Sequence, residues 1–532
     1  MAPHQTLAHA PFRGWPRAEV LVNGLPTGKR VPVIASAIIV DEDFTGAMLA
    51  GLDLRKPIQL AVSALGTTGP SLDGRDQANL LAFRAQAIAA FAIMPAGPVQ
   101  RAPLETAGLG PSRMGPALIE PAHDWALIEW RLKPKLSKPD AGTGRAGVLA
   151  ALAEAGAAGF TRLLPTLAEA IARFMGTGDH GSVELTFVPD APLGREQGTG
   201  PAIRFAYKQP IDDGWSGALL FLDATGSAEK LRHWAPNLRT VNINVTAQFQ
   251  YVTQVIGARF SRSMLTQPHN VRRLADLLMT ELAVAGELLV VCQKDVELPL
   301  TALIVQRGGV QAAAGLHRFP NGGTLHLTHF GNLTGSNAWQ HVPAAIIAGR
   351  PATNCTDGER MAEIVRGRAG VTAHQEADQF PTRPAALRMR DGTGHRVEAQ
   401  PWHPDELTEA CRWGVSEAGV LQALARLRGV QRIAANPCRV VLLGELALPL
   451  DVDVVTSWGE VQPGPMAVAA AEAALCLRAM PLAPKHMMAA RPDLWMGGTG
   501  NGGCIRCQRR SNFPRMCRSK VPQFWMGDQP LV

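Results

Sequence analysis

No run of apolar residues approaches the roughly 20 needed to cross a bilayer. The opening stretch MAPHQTLAHAPFRG also lacks the charged-then-apolar order of a secretory signal. A membrane role is therefore not expected, and a cytoplasmic location is the default. Cysteine is sparse and unpaired in its spacing: Cys292, Cys355, Cys411, Cys438 and Cys476 stand singly, and Cys504, Cys507 and Cys517 gather near the end. That excludes a disulfide framework for a chain of this size and predicts free thiols in a reducing compartment. Strong charge of one sign is missing too. Of the formal +7, the last 42 residues supply +5, with seven Lys/Arg against two Asp/Glu. The balance describes a basic tail, and a basic groove along the body of the chain is not called for.

What is present is a globular composition. In 532 residues, 46% are hydrophobic and 18% charged, enough for two or three domains with a sizeable core. Short apolar runs ending in polar or glycine-containing loops recur: AEVLVNG (Ala18 to Gly24), SAIIVDED, GALLFLDATG (Gly217 to Gly226), ELLVVCQKD (Glu287 to Asp295), TLHLTHFG, AAIIAGRP and RVVLLGEL. Their length and continuity suit strands buried on both faces. Helical patterns lie between several of them, such as Val271 to Gly286, so an α/β fold with helix-covered parallel sheets is expected. From about residue 67 to 200 the texture turns Ala-rich and reads as a helical insertion. A polar, Pro-rich break from Thr372 to Arg396 interrupts the second half. The expected division is a first lobe over residues 1–245, a second over 246–460 and an extension with an irregular basic tail over 461–532.

AIIVDEDF places Asp41, Glu42 and Asp43 at the end of an apolar run. In an open parallel sheet, ligands sit beyond the carboxyl ends of the strands. Paired carboxylates there suit metal-assisted phosphoryl transfer, one holding Mg²⁺ and its neighbour positioning the attacking water. An ordinary acidic turn is the bland alternative. A second strand end, GALLFLDATG, carries Asp223 and Thr225, with an Asx-type turn as its alternative. HFGNLTGSNAWQHVPAAIIAGRP (His329 to Pro351) is a polar loop leading into a strand. SEAGVLQALARLRGVQR (Ser416 to Arg432) predicts a helix with Ser416 as N-cap, Gly429 as stop, and Gln422 and Arg426 on one face. An arginine on such a face is ordinarily just solvated.

The order DEDF, DATG, a strand ending in QKD, HFGNLTGSN with IIAGRP, and QALARLRGVQR resembles the core of two-lobed superfamily 2 DNA helicases. The likeness is strongest to the helicase region of phage- and plasmid-type primase-helicase proteins, over roughly Ala18 to Ser457 without the helical insertion. The resemblance implies two P-loop-NTPase-like parallel-sheet lobes, ATP and Mg²⁺ as cofactors, and single-stranded or forked DNA as partner. It implies that Asp41 and Glu42 are the Walker B pair, with Asp41 on the metal. Thr225 belongs to the element coupling nucleotide state to movement, Gly335 and Asn337 to the loop facing nucleotide and strand, and Gln422 to the nucleotide side of the last motif. Arg426 and Arg428 are the arginine-finger residues. Ala425 and Leu427 depart from the small residues usual in that last motif.

An NTPase of this kind also needs a Gly-rich loop opening a helix, whose backbone N–H groups cradle the phosphates. NGLPTGKR (Asn23 to Arg30) fails as one: Asn23 stands for the first Gly, Arg30 for the metal-binding hydroxyl, and Lys29 lies about a dozen residues before Asp41, too close for a crossover. It reads as a strand-to-strand connection. The expectation is an amino-terminally shortened helicase core, with hydrolysis by this chain alone doubtful and the missing loop supplied upstream or by a protein acting in trans. A noncatalytic, DNA-binding remnant or accessory module of a mobile-element replication protein is the alternative. In the tail, Cys504, Cys507 and Cys517 resemble half a zinc ribbon, but four ligands are wanted.

Overall fold

The computed structural model describes residues 17–61, 85–109, 167–175 and 183–478, short stretches within these ranges excepted. Two compact units emerge. The first comprises residues 1–246, 350–425 and 446–450, and the second 247–349, 426–445 and 451–532. In chain order the first unit contributes strands β1 (Arg17–Val22), β2 (Leu25–Pro32), β3 (Ala37–Asp41), β4 (Lys56–Ala61), β5 (Val183–Pro192), β6 (Thr199–Lys208) and β7 (Ala218–Leu222). The second unit follows with β8 (Gln250–Ile256), helix α1 (Pro268–Ala285), β9 (Glu287–Cys292), α2 (Lys294–Gln306), β10 (Val310–Ala313), β11 (Leu316–Arg318), β12 (Thr324–His329) and β13 (Ala344–Ala348). The chain returns to the first unit with α3 (Cys355–Arg366), a hairpin of β14 (Thr382–Met389) and β15 (Gly394–Pro401), α4 (Glu406–Val415) and α5 (Glu417–Ala425). It closes in the second with β16 (Cys438–Leu443), β17 (Val454–Ser457) and α6 (Pro465–Leu475).

The second unit is built on one sheet in the order β10-β11-β12-β9-β13-β16-β8-β17, parallel throughout except for the antiparallel β10 and β11 at one edge. The runs ELLVVC and AAIIA are buried almost throughout, as strands covered on both faces require. Pro268 starts α1, Gly286 ends it at φ 74°, and the chain passes directly into β9. Leu274, Leu278 and Leu282 on α1 join Val290, Ile346 and Leu475 in one core. Arg307 pins α2 to its neighbours through Asp276 (2.7 Å) and Glu472 (3.5 Å). Gly349, just past β13, has φ 75°, and a Cβ there would lie 2.6 Å from the Phe260 carbonyl oxygen. No other residue suits that close approach.

In the first unit β3 and β7 form a parallel pair, whereas β4, β6 and β5 make an antiparallel sheet. Phe91, Phe187, Phe205 and Leu104 form the core beneath that sheet. The described part of residues 67–200 contains helix at 85–92 and 101–106, and also the ten-residue β5, whose alternate residues Leu185 and Phe187 point into the core. The hairpin β14–β15 likewise occupies much of the stretch that reads as a polar break. The expected strand-to-strand connection over Asn23 to Arg30 is corrected: Leu25 to Arg30, Gly28 and Lys29 among them, lie inside β2, which pairs antiparallel with β1. One face of the β3–β7 pair packs Val40 and Phe221 against Met48, Leu231 and Trp234. The other leaves Ile39, Leu220 and Leu222 exposed at 64%, 51% and 48%.

His317 on β11 is fully buried opposite Leu325, and among the described residues neither ring nitrogen has a hydrogen-bond partner. Burial lowers its pKa from the ordinary 6.5. Replacement by leucine removes the unpaired group, so His317→Leu should raise the unfolding free energy by about 1–3 kcal/mol. The sign with pH follows. Below about 6.5 the unfolded chain binds a proton that the folded chain refuses, so stability falls as pH drops. Denaturant titrations at pH 5.5 and 8 should show a smaller pH effect in His317→Leu than in the wild type; an equal effect refutes the assignment.

Candidate functional site

The register of the β3–β7 pair sets Asp41 opposite Leu222, so the two strands end side by side and Asp223 begins the turn beyond. There the Asp223 carboxylate accepts from the backbone N–H of Thr225 (2.7 Å) and from its hydroxyl (3.0 Å). This is the Asx-type turn expected of an Asp at a strand end. Its consequence is that the Thr225 hydroxyl proton is committed to Asp223, which leaves the oxygen free to accept. Gln422 on α5 supplies the donor, its Nε2 lying 3.3 Å away across 197 residues of sequence. Strand end, turn and helix thus meet within one unit. The backbone of Asp41 is described but not its side chain, and Glu42 lies outside the described residues.

What holds α5 in place is a buried charge network. Glu417, in its first turn, is fully buried and meets Arg412 Nη1 at 2.9 Å, while Gln400 Nε2 donates to it at 2.5 Å. Arg412 also donates from Nε to Glu409 (2.7 Å). Burial pushes Glu417 above the usual carboxylate range, and the positive charges of Arg412 and Arg350 pull it part of the way back. Gln400 completes the tie by accepting from the backbone N–H of Ala447 (2.9 Å). Pro351 fits against α5 where only glycine leaves room, a Cβ on Gly419 falling 2.8 Å from it.

Two expectations are corrected here. Ser416 does not cap α5 with its side chain: α4 runs almost directly into α5, and the Ser416 hydroxyl is buried without a partner. The helix also stops at Ala425, so Arg426 and Arg428 do not extend the face of Gln422. The reason is tertiary. Arg432 is buried and takes the carbonyls of Leu427 (2.9 Å) and Val342 (2.8 Å) and the side chain of Asn436 (3.0 Å), fixing residues 426–432 as a turn. Arg428 sits in that turn at φ 51°, its Nη2 donating to Asn337 Oδ1 at 2.7 Å. Arg426, Arg428 and Asn337 belong to the second unit, and Thr225 and Gln422 to the first. Gly335 lies outside the described residues, as do Cys504, Cys507 and Cys517. Sequence reasoning missed Arg432, although it closes the last motif.

A second polar cluster went unnoticed in the sequence. Cys355 and Glu359, four residues apart on α3, meet His403 in the first unit. Glu359 Oε1 accepts from Ala373 N–H (2.5 Å), His403 Nε2 (3.2 Å) and Cys355 Sγ (3.6 Å). Against the cost of burial, those donors hold the Glu359 pKa below the usual carboxylate range. Burial and the nearby carboxylate push the Cys355 thiol up to about 12.

The Thr225–Gln422 contact is testable within the folded chain. A double-mutant cycle of Thr225→Val and Gln422→Leu, read as unfolding free energy, should give a coupling of about 0.5–1.5 kcal/mol. Additivity of the two changes would remove the contact from the site. The ion pair offers a stronger signal: Arg412→Met should cost about 3–5 kcal/mol by stranding buried Glu417, and a further Glu417→Leu should restore most of the loss.

No protein-family model matches the chain, and no curated protein matches it. Among solved structures it is similar to one titled XPD apo, with a TM-score of 0.35 at 10% identity, covering 77% of this chain and 72% of that one. One titled XPD helicase aligns with a TM-score of 0.34 at 10% identity, covering 77% of this chain and 64% of that one. Alignments this loose carry nothing about individual residues.

Proposed function

We propose that the chain is a nucleic-acid-binding core of the superfamily 2 helicase type that does not hydrolyse ATP by itself. The observation that carries the reading is the bond from Gln422 to Thr225 beyond the end of β7, which joins two segments, 197 residues apart, that the resemblance rests on. In this reading Asp41 and Glu42 face Mg²⁺ and water, the Asp223–Thr225–Gln422 chain senses the nucleotide, and Arg426, Arg428, Gly335 and Asn337 belong to the surface that meets phosphates and strand. DNA is the polymer, bound through backbone charge. Support from charge is modest, resting on the basic last 42 residues.

The residues described do not complete a triphosphate site. A phosphate loop presents successive N–H groups at a helix start, whereas Gly28 and Lys29 are committed to an antiparallel strand. The phosphate cradle then lies outside the described residues, and ATP and Mg²⁺ are bound only where it is supplied.

Two measurements test it. Filter binding of the chain to single-stranded and forked DNA should weaken steeply with salt, log K falling by about 0.7 per phosphate contacted on a single strand. Absence of binding at low salt refutes the nucleic-acid role. DNA-stimulated ATPase of the chain should equal that of Glu42→Gln, and turnover that depends on Glu42 overturns the claim that the cradle lies elsewhere.

A further inference from the structure

We propose that Cys355, Glu359 and His403 form a structural site for a borderline-soft divalent cation, Zn²⁺ above all. The site is independent of the nucleotide reading. Three observations point to it.

The first is geometry. Zinc bonds of about 2.3 Å to sulfur and about 2.0–2.1 Å to nitrogen or oxygen, at tetrahedral angles, set S···O and N···O edges near 3.5 and 3.3 Å. Cys355 Sγ lies 3.6 Å from Glu359 Oε1, and His403 Nε2 lies 3.2 Å from the same oxygen. All three ligand atoms fall within 4.8 Å of one another.

The second is charge. All three residues are buried, where an isolated charge is costly. A thiolate and a carboxylate neutralise a dication, so the loaded site carries no net charge. Of the neighbouring ions, Arg366 and Asp405 are engaged with each other, and Asp378, which also acts on Cys355, accepts from the Thr356 N–H (2.8 Å) and hydroxyl (2.7 Å). A mixed set of sulfur, nitrogen and oxygen donors selects zinc over Mg²⁺ or Ca²⁺, which favour oxygen alone.

The third is the exchange of protons. The Cys355 thiol and the His403 Nε2–H both donate to Glu359 Oε1, holding the ligand atoms together around two hydrogens. Zinc binding releases the thiol proton and moves the imidazole proton to Nδ1. That atom now accepts from the Asp405 backbone N–H at 3.1 Å. The exchange gives up three hydrogen bonds, the two to Glu359 Oε1 and the one from the Asp405 N–H, and gains three ligand bonds, with water in the fourth position. The ion would clamp α3 to the turn before α4, the helix pair that carries α5.

The test uses the full-length chain with Cys504, Cys507 and Cys517 changed to Ser, so that only the body of the protein reports. Competition with a chromophoric chelator should give one Zn²⁺ per chain. Substitution by Co²⁺ should produce a thiolate-to-metal charge-transfer band. Cys355→Ser and His403→Gln should each weaken Zn²⁺ by more than about 100-fold, beyond the range expected from losing a supporting contact, and Cys355→Ser should abolish the band. Cys438→Ser, another buried cysteine, should leave both unchanged, with circular dichroism confirming that each variant is folded. A parent chain that binds no Zn²⁺, or binding and a cobalt band that survive in folded Cys355→Ser, overturns the proposal and leaves the cluster as a hydrogen-bonded triad.

Discussion

A carboxylate withdrawn from water must find its donors inside the fold, and Glu417 is the place where this requirement organises the first unit. Arg412 reaches it from α4 and Gln400 from β15. Gln400 in turn holds the short return of the chain at Ala447. One buried charge therefore fastens a helix pair, a hairpin and a segment far along the sequence. Were the interior apolar at this point, α5 could slide or rotate at little cost. With an ion pair at its first turn it has one seat, and Gln422 follows. Buried ion pairs add little net stability compared with apolar packing. The value of this one is positional.

The second unit solves the same problem differently. Its sheet is mostly apolar on both faces, and, His317 apart, two of its buried polar groups are answered by backbone: the Gln254 amide donates to the Gly444 carbonyl at 2.8 Å, and Arg432 spends its guanidinium mainly on carbonyls. Side chains bonded to main chain cannot easily change partners without moving the strand or turn that owns the carbonyl. The Arg428 turn inherits that rigidity, which is how an exposed hydrogen bond to Asn337 comes to rest on a well-seated base.

Continuous apolar runs made β9 and β13 legible in the sequence, since a strand covered on both faces has no polar positions to confuse the pattern; β3 and β7 carry the same kind of run although one face of the pair is exposed. QYVTQVI did not announce itself as β8, because its Gln254 finds a partner 190 residues away that no local window contains. Strand β5 alternates as a half-covered strand does and β6 is buried over most of its length, yet both lie beside Ala-rich helical text that suggested another state. The same limit applies to the site. Thr225 and Gln422 were recognisable singly as turn and helix residues, but their contact depends on β3 and β7 pairing in parallel. The end of α5 was misjudged because propensity favours continuing the helix, and Arg432 overrules it from outside the segment. His403, 44 residues beyond Glu359, gave no hint of the Cys355 cluster.

The β3–β7 pair ends the account on an unsettled surface. Parallel strands are ordinarily sheathed on both sides, and a ribbon of two with Ile39, Leu220 and Leu222 facing water is the opposite of that norm. Among the described residues nothing covers that stripe, so the pair holds in water apolar area that packing would otherwise remove.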